Sequence, residues 1–162
     1  MHEPIFVADQ RAQLETILES NRAELIEVLE GLSDEQARTR LVPSLTSPLA
    51  LLKHACTVER VWFHVAFVGR TRAELGIPED VHDSFVLGPD DTVASVLREY
   101  RSASAEAREI AASYDLEDHA LHNRRSPVSL RWIYLHMIQE LARHAGHGDI
   151  LREQILAGAT RT

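Results

Sequence analysis

The chain has 162 residues, with 17 Lys plus Arg, 25 Asp plus Glu, nine His and one Cys. This length suits a single domain, taken as residues 1–162, with a core large enough to need no covalent staples; one Cys excludes an internal disulfide and any CxxC motif. The formal charge of −8 argues against nucleic acid and anionic membranes as partners, because both select basic surfaces.

The first helix is expected over residues 9–31. Asp9 can serve as N-cap and Gly31 can end it in a left-handed conformation; Leu14, Ile17, Leu18, Leu25, Val28 and Leu32 follow the helical period, with Asn21 in the middle of the stripe. Ser33 and Gln36 have capping-box spacing, which predicts a helical turn over 33–38. Ser47-Pro48 starts the second helix, running to about Gly69 with an apolar face of Leu51, Val58, Val61, Val65 and Val68. His54 projects from the middle of that face. A loop of about 20 residues follows, and loops this long are often functional; within it 81–87 allows a short extended piece. The third helix is expected from Asp90 or Asp91 to Ser113, burying Val93, Val96, Leu97, Tyr100, Ala107, Ile110 and Ala111, and the last from Ser129 to Gly158. No convincing period-2 alternation occurs. Four amphipathic helices predict an all-α bundle, since each stripe must bury against another helix. The N-terminal stretch has no basic region followed by an apolar run, and His64 interrupts the longest apolar stretch, so the expectation is a cytoplasmic protein with no signal peptide or transmembrane span.

The last helix carries the chemistry. In HMIQELARHAGH, His136, Glu140 and His144 are four apart and His147 is three beyond. With Glu140 at zero, a 100° step puts His144 near about +40°, His147 near about −20° and His136 near about −40°. Ile133, Met137, Leu151 and Ile155 share this sector, so a carboxylate and several imidazoles stand in a core stripe. Burying such groups unpaired costs about 2–7 kcal/mol each. A divalent metal such as Zn, Ni or Fe satisfies them, since imidazole nitrogen and carboxylate oxygen are suitable ligands. Glu140 and His144 supply an i, i+4 pair and His54 the third ligand from the facing helix. Each residue alone has a plainer reading: His54 as a hydrogen-bonded core histidine, the Glu–His pair as a surface contact worth a few tenths of a kcal/mol. The coincidence favours metal, because two helices independently place ligand-type residues at the centres of apolar stripes. His2, His82, His119 and His122 fall at the terminus or in loops and read as solvated, and His64 reads as a helix-boundary residue. Cys56 reads as an ordinary small residue.

Two segments bear a resemblance. GLSDEQARTRLVPSLTSPLALLKHACTVERVWF and LRWIYLHMIQELARHAGHGDILRE are similar to the first half and the last helix of DinB-like proteins of the mycothiol-dependent enzyme type. The resemblance implies an up-down-down-up four-helix bundle, frequently a homodimer. It implies a metal held by one His of the second helix, here His54, and by two ligands four apart on the last helix, here Glu140 and His144. Many relatives have His at the Glu140 position, whereas the maleylpyruvate isomerase branch has Glu. That departure leaves His147 as the alternative third ligand. Characterised members include S-transferases and isomerases that use low-molecular-weight thiols such as mycothiol or bacillithiol. A Lewis acid lowers the thiol pKa, so the sulfur is a nucleophilic thiolate at neutral pH. The single Cys fits a reactive sulfur that arrives with the cosubstrate. Arg143 and Asn21 are candidates for the substrate-pocket wall, with plainer readings as a surface charge and a buried amide.

Three functions follow as expectations. The first is a metal-dependent thiol S-transferase joining a small-molecule thiol to an electrophile in detoxification or stress response. The second is a thiol-dependent isomerase of the maleylpyruvate kind, and the third a non-catalytic dimeric metal-binding bundle. The chain has no Walker A, strand-linked GxGxxG, GxSxG or HExxH motif, so nucleotide, serine-hydrolase and zincin chemistry lack support.

Overall fold

The computed structural model describes residues 5–124 and 126–159; His2 lies outside them. The protein is all-α. Helix α1 spans Gln10–Glu27, α2 Asp34–Arg38, α3 Pro48–Glu59, α4 Val93–Ala112 and α5 Leu130–Ala159. Helix α3 continues directly into a π-helix over Arg60–Val68. Short 3-10 turns occur at Ile5–Val7 and His82–Phe85, and strands β1 (His119–Ala120) and β2 (Val128–Ser129) pair antiparallel. None of the described helices is long and apolar enough to cross a membrane.

The start signals act as hydrogen-bond acceptors for otherwise unpaired first-turn amides. Asp9 accepts from Ala12 N at 3.0 Å and Ser47 from Ala50 N at 3.2 Å, with Pro48 at the first helical position. Ser33 and Gln36 form the expected reciprocal capping box. The third helix starts later than Asp90 or Asp91, because Thr92 and Ser95 make a capping box of their own. Asp91 is otherwise engaged: its Oδ2 accepts from Lys53 Nζ and from Gly88 N, both at 2.6 Å. Gly31 (φ 72°) and Gly69 (φ 80°) take the left-handed conformation expected where a helical segment ends; α1 itself stops at Glu27 and turns over 28–31.

Helix α1 packs along α5, and α3 packs against both α4 and α5. Leu18, Leu25, Leu51, Leu52, Tyr100, Ile133, Met137 and Leu141 are almost fully buried between them, each aliphatic side chain contributing about 1.5–3 kcal/mol relative to exposure. Close approach of α5 to α1 requires Gly148: a Cβ there would lie 2.7 Å from Val28 Cγ1 and Cγ2. One ion pair is buried in this core. Arg22 Nε and Nη2 donate to the two oxygens of Glu59, each at 2.7 Å, with the Glu59 side chain wholly inaccessible.

Three expectations are corrected. Ile17 is exposed rather than part of the buried stripe of α1. Residues 82–85 form a 3-10 turn, not an extended piece, because they fold back onto α3. The apolar face drawn for the second helix holds through Val58 but fails beyond Arg60, where the π-helix departs from 100° per residue. Val68 is therefore exposed, and His64 is buried, with Nε2 3.0 Å from Glu106 Oε2.

Candidate metal centre

His54 and Glu140 come from α3 and α5, which are packed side by side. His54 Nε2 lies 3.1 Å from Glu140 Oε1, and His144 Nε2 lies 3.0 Å from the same oxygen. One ligand-type atom from each of the three residues lies within 4.8 Å of the others. Ligands about 2.1 Å from a tetrahedral ion stand about 3.4 Å apart, so the cluster needs only small adjustments to close around one.

The 3-10 turn fixes the ring of His54. Ser84 is buried, and its hydroxyl donates to Val81 O at 2.5 Å. That donation leaves Ser84 Oγ as an acceptor, so the contact at 2.7 Å is His54 Nδ1–H donating to Ser84 Oγ. In a neutral ring of this tautomer Nε2 would carry its lone pair toward Glu140 Oε1. Two acceptors face one another there unless a proton or a metal ion lies between them. Phe85, from the same turn, stacks on His54 with centroids 4.1 Å apart and 13° between planes. This is the usual second layer of a histidine ligand: the far nitrogen is hydrogen-bonded and the ring plane held. The donor set and the assigned tautomer both fit a divalent ion.

Hydrogen bonds from His144 and His54 hold the Glu140 carboxyl well below the usual carboxylate range. It is an anion at neutral pH. His144 Nδ1 is buried and has no hydrogen-bond partner among the described residues. His147 is exposed, its ring centroid 5.8 Å from that of His144, and it stands outside the three-residue cluster. Arg143 is also largely exposed, with Nη1 3.9 Å from Glu140 Oε2. Asn21 is buried, and its Nδ2 donates to Ile138 O on α5 at 2.8 Å. Neither Arg143 nor Asn21 lines the cavity beside the cluster.

That cavity has a volume of about 620 Å³, and His54 and Glu140 form part of its wall. Trp62, Trp132 and His136 supply an aromatic wall, with Arg72, His122 and Arg124 also lining it. His136 stacks on Trp132 at 5.0 Å and 5°, and burial pushes its pKa down, leaving a neutral ring at pH 7. Sequence reasoning missed Ser84, Phe85, Trp62, Trp132 and Arg72. For the first two and Arg72 the available signal was the long loop after the second helix. For the tryptophans it was their spacing of eight residues, about two helical turns, from His54 and Glu140, obscured at Trp62 by the π-helix.

Cys56 is buried, and desolvation pushes its thiol up to about 12, so the chain supplies no thiolate of its own near neutral pH. No curated protein matches the chain. The mycothiol-S-transferase family model matches residues 13–157, which takes in α2, α3 and α4 and all but the outer ends of α1 and α5. The chain belongs to the mycothiol-S-transferase family.

Proposed function

We propose that the protein is a metal-dependent S-transferase that joins a low-molecular-weight thiol, mycothiol or a close analogue, to an organic electrophile. The observation that carries this reading is the convergence of His54 Nε2, Glu140 Oε1 and His144 Nε2, with His54 and Glu140 in the wall of a cavity large enough for a small molecule. These three residues would hold a divalent ion, Zn, Ni or Fe, leaving further coordination positions open. A divalent ion held by these residues would supply Lewis acidity that lowers the pKa of a thiol and makes its sulfur nucleophilic at neutral pH.

The chain's own residues orient and shield. Ser84 Oγ holds the His54 ring through Nδ1, and Phe85 stacks on its face. Glu140 stays ionised and contributes negative charge, so a divalent ion at the site is only partly neutralised and retains Lewis acidity. The aromatic wall excludes water around the reacting carbon. With an aryl chloride as electrophile, the thiol proton leaves to water, the sulfur–carbon bond forms and chloride departs with the carbon–chlorine electron pair.

This reading carries the finer structural expectations with it: an up-down-down-up four-helix bundle, one domain over residues 1–162, a homodimer and a cytoplasmic detoxification role. The family match supports transfer over maleylpyruvate-type isomerisation, which turns over without consuming thiol. The test is incubation of metal-loaded protein with mycothiol and chlorodinitrobenzene, following thioether formation by absorbance. The reading expects protein-dependent product that His54→Ala and His144→Ala abolish. Product formed equally well by either variant contradicts it.

A further inference from the structure

The cavity beside the cluster has features that neither a metal ion nor a thiol explains. Trp62 and Trp132 lie with ring centroids 5.2 Å apart at 59°, and His136 packs against both, 4.9 Å from Trp62 and 5.0 Å from Trp132. Such a cluster offers flat, polarisable surface to a planar ligand. The π-helix brings Val61, Trp62, Val65 and Ala66 to this one cavity. π-helical turns occur frequently at functional sites.

The charged lining of the cavity is unbalanced. Glu140 is its one carboxylate among the described residues and belongs to the metal cluster, whereas Arg72 and Arg124 both line it. Arg124 is largely exposed and already paired with Glu79. Arg72 is different. Its Nη1 donates to Pro78 O at 2.6 Å, but its Nε is buried with no hydrogen-bond partner among the described residues. A buried, unpaired donor on a permanent cation is costly. Burial and the neighbouring Arg124 both work against its charge, and Glu79 offsets them only in part. An anion in the cavity would relieve both, giving Nε an acceptor and supplying, beside Glu79, the second negative charge for the two arginines.

We propose that this cavity receives the electrophilic co-substrate and selects a planar aromatic anion, its ring against Trp62 and Trp132 and its carboxylate against Arg72. The proposal rests on the transferase reading for the word co-substrate; the binding preference itself does not. A neutral sugar-like occupant could accept from Arg72 Nε through a hydroxyl but brings neither countercharge nor a flat face for the tryptophans, which is why the aromatic anion is favoured.

The two tryptophans of the chain both stand in this wall, so intrinsic fluorescence reports its occupancy directly. The experiment titrates the protein with 4-nitrobenzoate and with uncharged 4-nitrobenzyl alcohol, each a quencher, before and after chelator treatment. The chelator arm separates a carboxylate held by metal from one held by arginine. A charge-assisted hydrogen bond predicts about tenfold or more tighter binding of the anion, persisting after chelation. Arg72→Gln should bring the anion down to the affinity of the alcohol and leave the alcohol unchanged. If that variant fails to fold by circular dichroism, Arg72→Lys keeps a donor for Pro78 O but removes the Nε donor, and the preference should fall there as well. Equal affinities in the wild type, a preference that vanishes with chelator, or a preference untouched in the folded arginine variant overturns the proposal. Protein that forms thioether from neutral electrophiles but shows no anion preference rejects this inference alone. Protein that prefers nitrobenzoate but forms no thioether rejects the transferase reading alone.

Discussion

Ser84→Ala isolates the contribution of the loop to the metal centre. The substitution removes the acceptor 2.7 Å from His54 Nδ1 and the hydroxyl that donates to Val81 O, and nothing that touches a metal ion directly. Two penalties follow. The His54 N–H is left unpaired in a buried site, at a cost of about 1–3 kcal/mol, and the ring loses the partner that fixes its tautomer. Losses of this kind weaken metal affinity by about 10–100-fold, or about 1.4–2.7 kcal/mol. Zinc affinity is measured by competition with a chromogenic chelator, with circular dichroism confirming that each protein is folded. Ser84→Thr restores the hydroxyl and should recover most of the affinity. A folded Ser84→Ala protein that binds zinc as tightly as wild type would refute the reasoning, because His54 would then owe its orientation to something other than Ser84.

Three further outcomes follow from the packing. Glu59→Gln leaves Arg22 charged and buried with Glu19 as its remaining anion, which should cost about 3 kcal/mol in urea unfolding, the low end for a broken buried pair; Arg22→Met with Glu59→Leu should recover most of it, and a single variant near wild-type stability contradicts the role of the pair. Cys56, with its thiol pushed up to about 12 by burial, should resist alkylation in the folded protein at pH 8 and react once urea unfolds it; rapid labelling of native protein goes against its burial. Burial depresses the His64 pKa despite the opposing pull of Glu106. A depressed histidine favours folding above its unfolded value of about 6.5, because the unfolded chain binds the proton more readily below it. That stabilisation should be present at pH 8 and decline as pH falls through the folded pKa. Urea midpoints at pH 8 and pH 5 test this, and His64→Gln should flatten the difference; an unchanged slope in the variant shows that other groups dominate.

The helices were legible because their caps and stripes are local. Ser47-Pro48, Ser33 with Gln36, and the Ile133 to Ile155 stripe each encode their structure within a turn or two. The three clustered residues were legible for the same reason, since His54 and the Glu140/His144 pair sit centrally on apolar faces. What the sequence hid depended on longer range or on irregular winding. The π-helix over Arg60–Val68 has no residue signature of its own, so projection misplaced His64 and Val68. Ser84 reaches His54 across 30 positions of chain, and no periodicity reports a loop folding back onto a helix. The two-residue strands are too short for alternation to show. Asp91 illustrates a further limit: it looks like an N-cap locally, but Lys53 and Gly88 take its carboxylate and Thr92 caps α4 instead.

The choice between Glu140 and His147 separates the metal reading from its nearest rival. Glu140 Oε1 meets both imidazoles at about hydrogen-bond distance, whereas His147 stands exposed beside His144. The most direct measurement is zinc content by mass spectrometry after equilibration and dialysis, on wild type, His54→Ala, Glu140→Ala, His144→Ala and His147→Ala. The account predicts about one ion per chain in wild type and His147→Ala, and a large loss in the other three. Metal retained by Glu140→Ala but lost by His147→Ala, or no metal bound by wild type, contradicts it.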